Sequence, residues 1–139
     1  MVIKQKQTAL FICTHNSARS QIAEAFLRKK FGNRFHAFSA GTHPTSVHPL
    51  AVKVMAELGI DISNQSSKNV TEFLNEEIDY VVTVCDSAKE TCPYFAGAKK
   101  YIHRSFENPV TDIGSDEKIL NGFRRVRDEI SCWIGEQFK

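Results

Sequence analysis

Thr8-Ala9-Leu10-Phe11-Ile12-Cys13-Thr14-His15-Asn16-Ser17-Ala18-Arg19-Ser20 is the stretch on which the fold turns. Thr8 to Ile12 is a short apolar run of the kind a strand buried on both faces carries, and Cys13 ends it. From Gln21 to Phe31 the pattern changes to helical spacing, with Ile22, Phe26 and the Ala25/Lys29 row, and Gly32-Asn33 closes it. A strand that runs through a short polar loop into a helix aims backbone N–H groups at one spot, and the helix dipole adds positive potential there. Arg19 adds a guanidinium fork suited to a phosphate-like ligand. The same field favours a thiolate at the start of the loop, so Cys13 and an anion cradle form one structure. Asn16 suits the positive-φ turn that a tight loop needs, and Ser17 or Ser20 is placed to donate a hydrogen bond to the sulfur. The oxyanion-binding candidates are therefore Thr14, His15, Asn16, Ser17, Ala18, Arg19 and Ser20.

Outward from this unit the alternation repeats. Phe35 to Ala40 reads as a strand, Gly41 to Pro44 as a turn, and Pro49 opens a helix that runs to Leu58 before Gly59. Glu72 to Glu76 reads as a short helix. Asp79 to Val84 is the clearest strand, and Lys99 to His103 a fourth. Asp116 to Phe138 is a long amphipathic helix whose stripe is Ile119, Phe123, Val126, Ile130, Trp133/Ile134 and Phe138. Strands alternating with helices imply an α/β fold with a parallel sheet covered on both faces, and ligands beyond the C-terminal strand ends, where Cys13 and Cys85 both fall.

With 139 residues and no linker, repeat or low-complexity segment, residues 1–139 are expected to form one domain. The formal net charge of +2 supplies no basic field for nucleic acid, so any positive site is local. No apolar run approaches a membrane span, and Ala9 to Cys13 is too short for the core of a leader, which makes the cytoplasm the expected compartment. In that compartment Cys13, Cys85, Cys92 and Cys132 point to catalysis or metal binding more than to structural disulfides, with buried apolar thiols as the plain alternative. Cys132, next to Trp133 on the long helix, is read as structural.

Leu10 to Glu24 (LFICTHNSARSQIAE) resembles the active-site loop shared by low-molecular-weight protein tyrosine phosphatases and thioredoxin-coupled arsenate reductases. The resemblance extends through Ser39-Ala40-Gly41-Thr42, Gly59-Ile60-Asp61-Ile62-Ser63, the Asp79 to Cys92 block and Phe123-Arg124-Arg125-Val126-Arg127-Asp128-Glu129-Ile130, and these blocks lie closer to the reductases. It implies a single domain with a four-stranded parallel sheet flanked by helices.

Cys85 and Cys92 separate the two branches. On a regular helix their spacing is a rise of about 10.5 Å, whereas a disulfide needs Cα atoms within roughly 7 Å. They are either unrelated thiols or a redox pair whose intervening segment unwinds; a zinc site would match no common ligand spacing. The resemblance implies the pair. By it, Cys13 attacks arsenate, Cys85 releases arsenite by forming a disulfide with Cys13, and Cys92 takes over Cys85 in a disulfide that thioredoxin reduces. A monomer is expected, with no cofactor and no metal. A phosphatase working with Cys13 and Arg19 alone, or an oxyanion or phosphopeptide binder without turnover, are the other readings.

The sequence departs from the family at three places. Where an Asp-Pro usually supplies the general acid stands Asn108-Pro109, and an amide neither gives nor takes the proton. Glu107 and Asp112 are candidate substitutes, and Val110 offers no aromatic wall. His15 stands where many relatives have glycine; it is a surface imidazole or an added positive charge at the mouth. Lys68 stands where some reductases have an Asp that helps bind potassium. Asn16, Glu24 and Ser39 match the other ligands, so the Lys68 ammonium either fills the cation position or is a solvated loop lysine.

Overall fold

The computed structural model describes residues 6–111 and 113–139. Four strands, β1 (Gln7–Cys13), β2 (Phe35–Gly41), β3 (Ile78–Thr83) and β4 (Ala98–His103), form one parallel sheet in the order β2-β1-β3-β4. Four α-helices accompany them: α1 (Arg19–Phe31), α2 (Pro49–Ala56), α3 (Asp86–Thr91) and α4 (Asp116–Gln137). The result is the expected four-stranded α/β domain. Strand ends fall within a residue of their sequence reading, while the helix ends shift by up to two. The short helix expected over Glu72 to Glu76 is instead a 3-10 turn over Val70–Phe73, because the Asn69 side chain accepts from Thr71 N and starts it earlier.

Ala9, Leu10, Phe11 and Ile12 of β1 are fully buried, as a strand with a neighbour on each side and helices above and below must be. Each large buried side chain contributes about 1.5–3 kcal/mol. α1 is buried along Ser20 to Leu27, far more than its apolar spacing implies, since it sits between the sheet, α4 and the loop before it. Lys29, read into its inner row, faces solvent. On α4 the stripe holds, and Phe138 at its end meets Phe11, Phe35, Tyr80 and Trp133 edge-on at centroid distances of 5.3–6.0 Å. Cys132 is exposed rather than packed, one position off the stripe and about 100° around the helix from it.

The sheet order fixes the site. β1 lies between β2 and β3, so the chain leaves β1 toward one side and returns on the other. The crevice at this switch point opens beyond the C-terminal ends of β1 and β3, which brings Cys13 and Cys85 to neighbouring strand ends. Among the described residues no helix is long and apolar enough to cross a membrane.

Candidate active site

The loop after β1 is held by its carbonyls. Cys13 O accepts from Thr42 N, Thr14 O from His43 N at 2.8 Å, His15 O from Thr45 N, and Ser17 O from His48 N at 2.9 Å. Asn16 O accepts from Gln21 Nε2 at 2.9 Å and Ala18 O from Ile22 N. The segment between β2 and α2 thus draws the loop carbonyls outward. Among the described residues no amide from Thr14 to Arg19 donates to another protein group, so the amides are left for a ligand at the mouth of α1. Gly41 permits the approach: a Cβ there would lie 2.6 Å from Thr14 O and 2.9 Å from Asn16 N.

Side chains complete the cradle. Asn16 has φ 49 and is fully buried; its Nδ2 donates to Ser20 Oγ at 2.7 Å and its Oδ1 accepts from Lys68 N at 2.9 Å. Ser20 Oγ accepts from Asn16 and shares a hydrogen bond with Cys13 Sγ at 2.9 Å, in which it donates once the sulfur is a thiolate. Ser20 is thus the partner of the sulfur, and Ser17 is not. Arg19, the first residue of α1, donates through Nη1 to Phe106 O at 3.1 Å, which draws the guanidinium across the crevice. His15 is exposed at the rim.

Two hollows flank this loop. One of about 210 Å³, smaller than the sites that take drug-sized ligands, is walled by Cys13, His15, Ser17, Arg19, His48 and Asn108 among others. The second is walled by Thr14, Arg19, Cys85 and Asn108, so the two share a boundary at Arg19 and Asn108. Thr14 Oγ1 lies 3.6 Å from Cys85 Sγ, a link between the loop and the second cysteine. Cys85 is the N-cap of α3 and Cys92 its C-cap, so the segment between them is regular helix. Cys92 is half-buried, which pushes its thiol up from the ordinary range, and it lies in a groove with Lys89, Pro93, Tyr94, Tyr101 and His103. All four cysteines are free thiols.

Asn108 lines the Cys13 hollow, and its Oδ1 accepts from Val110 N at 3.1 Å. Glu107 lines the second hollow and pairs with Arg125 Nη2 at 2.5 Å. Asp112 lies outside the described residues. His48 was missed by the sequence reading. Its Nδ1 accepts from Leu50 N to cap α2, its ring lies 4.9 Å from that of Phe123, and burial holds its pKa below the ordinary value. A histidine just before Pro49 was the available signal.

The residues expected around a cation each meet other protein groups. Glu24 is buried, with Oε1 accepting from Ser39 Oγ at 2.6 Å and Oε2 paired with Arg28 Nη2 at 2.7 Å. The same Arg28 nitrogen donates to Ala37 O at 2.8 Å. Lys68 Nζ turns instead to Ser66 O. The charge facing Glu24 is Arg28, Asn16 Oδ1 accepts from an amide, and the Lys68 ammonium is bonded to a backbone carbonyl. Among the described residues no cluster of three His, Cys, Asp or Glu side chains is arranged to hold a metal ion.

A parallel sheet with a cysteine in an amide-lined loop at its switch point defines a class of enzymes that grip oxyanions through a P-loop and attack with a thiol. The chain belongs to the family described as low molecular weight phosphotyrosine protein phosphatase, whose model matches residues 8–132. Within that family it is 43% identical over 125 residues, 90% of each chain, to an arsenate reductase of Halalkalibacterium halodurans. Its fold matches a solved arsenate reductase in the phosphate binding state at a TM-score of 0.80 and 29% identity, over 94% of this chain and 95% of that one. It also matches the Corynebacterium glutamicum thioredoxin-dependent arsenate reductase at 0.63 and 29%, over 96% of this chain and 64% of that one.

Proposed function

We propose that this chain is a cytoplasmic arsenate reductase regenerated by thioredoxin, with Cys13, Cys85 and Cys92 acting in series. The observation that carries this reading is the placing of two buried thiols after neighbouring strands, Cys13 in the cradle and Cys85 3.6 Å from Thr14 Oγ1 in the same loop. A phosphatase has no use for the second thiol.

The oxyanion sits on the amides of residues 14–19 and the Arg19 fork, where its charge is stabilised without reorganisation. Cys13 Sγ attacks arsenic and water leaves, giving a thiol-bound As(V) adduct. Cys85 then attacks Cys13 Sγ. The S–As bond breaks, its electron pair goes to arsenic, arsenite departs and a Cys13–Cys85 disulfide remains. Cys92 attacks Cys85 and Cys13 leaves as thiolate. Asn108 orients by hydrogen bonding and gives up no proton, a smaller handicap here than for a phosphate ester whose leaving oxygen must be protonated.

The test sets arsenate-dependent oxidation of reduced thioredoxin beside hydrolysis of an aryl phosphate. The proposal expects turnover in the first and little in the second. Aryl phosphate hydrolysis that persists in Cys85→Ser, with no arsenate-dependent thioredoxin oxidation by the parent chain, would replace this reading by the phosphatase one.

A further inference from the structure

The third step of the relay requires α3 to come apart, because Cys85 and Cys92 cap opposite ends of it and regular helix holds them about 10.5 Å apart along its axis. What keeps α3 wound until then is not evident from its own sequence. It spans only Asp86–Thr91, a length at which isolated helix is unstable. Its N-cap is Cys85, which makes no side-chain capping bond, and of its residues only Ala88 is buried.

Among the described residues one side chain from outside the segment hydrogen-bonds to the helix itself. His103, the last residue of β4, lies with Nε2 3.0 Å from Asp86 Oδ1 and Nδ1 2.7 Å from Thr83 Oγ1. Asp86 is the first residue of α3 and Thr83 the last of β3. The imidazole therefore spans from the sheet to the start of the helix, beside the bond that must rotate. Both protonation states fit. Nε2–H donates to the carboxylate in either one, while Nδ1 accepts from the Thr83 hydroxyl when neutral and donates to it when charged. Only the charged form adds an ion pair. The other titratable or charged groups at this imidazole are Lys89 from α3, Cys92 after it, Tyr94, Tyr101 on β4, and Arg104 next in the chain.

We infer that His103 is a positioning residue for the cysteine relay: by tying Asp86 to the ends of β3 and β4 it holds the Cys85–Cys92 segment in its helical, reduced form. This rests on the relay proposed above. Once the Cys13–Cys85 disulfide has formed, Cys92 thiolate attacks Cys85 Sγ, the Cys85–Cys92 bond forms, and Cys13 departs with the electron pair of the broken bond. The proton that Cys92 lost is in solvent. The latch opposes this step and favours re-closing of the helix after thioredoxin has returned two electrons.

The test equilibrates the full chain, in a Cys13→Ser background that leaves the second pair alone, against mixtures of reduced and oxidised dithiothreitol. Cys85–Cys92 disulfide is counted by alkylation and peptide mapping. His103→Ala is expected to raise the equilibrium constant for disulfide formation about threefold, the size of one partly exposed ion pair, and His103→Gln, which keeps a donor for Asp86, less. A loss of stability common to both redox states cancels from this ratio. Asp86→Asn, at the exposed end, reads the same bond if His103→Ala fails to fold. A disulfide that forms equally in parent and variants overturns the latch and leaves the relay standing. No Cys85–Cys92 disulfide under any mixture overturns both.

Discussion

Two segments leave neighbouring strand ends in this molecule, and they are held in opposite ways. From Cys13 to Ser20 every carbonyl through Ala18 accepts a hydrogen bond, Asn16 and Ser20 are fully buried, and the helix that follows runs to Phe31. From Cys85 to Cys92 there is a short helix in which only Ala88 is buried, with no side-chain cap at its start, tied from outside at Cys85 by Thr14 and at Asp86 by His103. The first segment must present a nucleophile and a set of amides at fixed positions, and preorganisation of that kind is what electrostatic catalysis requires. The second must bring together two thiols that its own helix keeps apart, so it is drawn from the weakly held part of the structure. Rigidity and slack are divided between two loops of one crevice according to what each cysteine has to do.

The largest effect tests the rigid side. Cys13→Ser should lower arsenate turnover by about a thousandfold or more, while phosphate binding by calorimetry survives, because the amides and Arg19 remain. Loss of phosphate binding together with turnover would mean that the sulfur itself, not the loop, makes the cradle.

Next comes the loop's own stability. Asn16→Ala removes the bonds to Ser20 and Lys68 N and leaves a residue with a Cβ at φ 49. It should cost about 2–4 kcal/mol in urea unfolding. Lys89→Ala on α3 should stay within about 0.5 kcal/mol. Similar losses at the two positions would erase the contrast between the segments.

A smaller effect separates Arg28 from Lys68. Arg28→Ala strands the buried Glu24 carboxylate and should cost about 1–3 kcal/mol, below the full figure for a buried pair because the Arg28 side chain is 52% exposed. Lys68→Ala should change stability by less than about 0.5 kcal/mol. The reverse order would restore the ammonium to the cation position.

These comparisons mark what sequence alone could reach. The βα unit at Cys13 was legible because its signals are local: an apolar run, a polar loop, then helical spacing. Cys85 was legible as a strand-end cysteine by the same logic. Arg28 was not, since it reaches Ala37 O and Glu24 only once α1 has packed beside β2, and nothing at its position marks that contact. Ser20 and Ser17 looked alike until Asn16 Nδ2 fixed one hydroxyl. His103 and Asp86 meet because the sheet order sets β4 beside β3, a matter of topology. Cys132 shows the limit of periodicity, where one residue's offset separates stripe from solvent.

The smallest effect lies away from both segments. Glu57 bridges α2 to α4 through Arg124 at 2.7 Å and Arg127 at 2.8 Å, and those guanidinium hydrogen bonds, Arg124 first, hold its pKa down to about 2 from 4.5. A carboxylate depressed on folding adds stability that is present above about 4.5 and fades as pH falls toward about 2. The difference in urea midpoint between the parent chain and Glu57→Gln should shrink over that window. A constant difference would show that the pairs do not persist in solution.

The division of labour between the two segments is tested most directly by one equivalent of arsenate added to the fully reduced chain with no reductant present, followed by peptide mapping and hydrogen exchange. The account predicts one arsenite per chain, a Cys85–Cys92 disulfide and a free Cys13. It also predicts faster exchange from Asp86 to Thr91 while the amides of β1 and β3 stay as protected as before. Arsenite release with α3 still protected, or a disulfide that leaves Cys92 free, would contradict it.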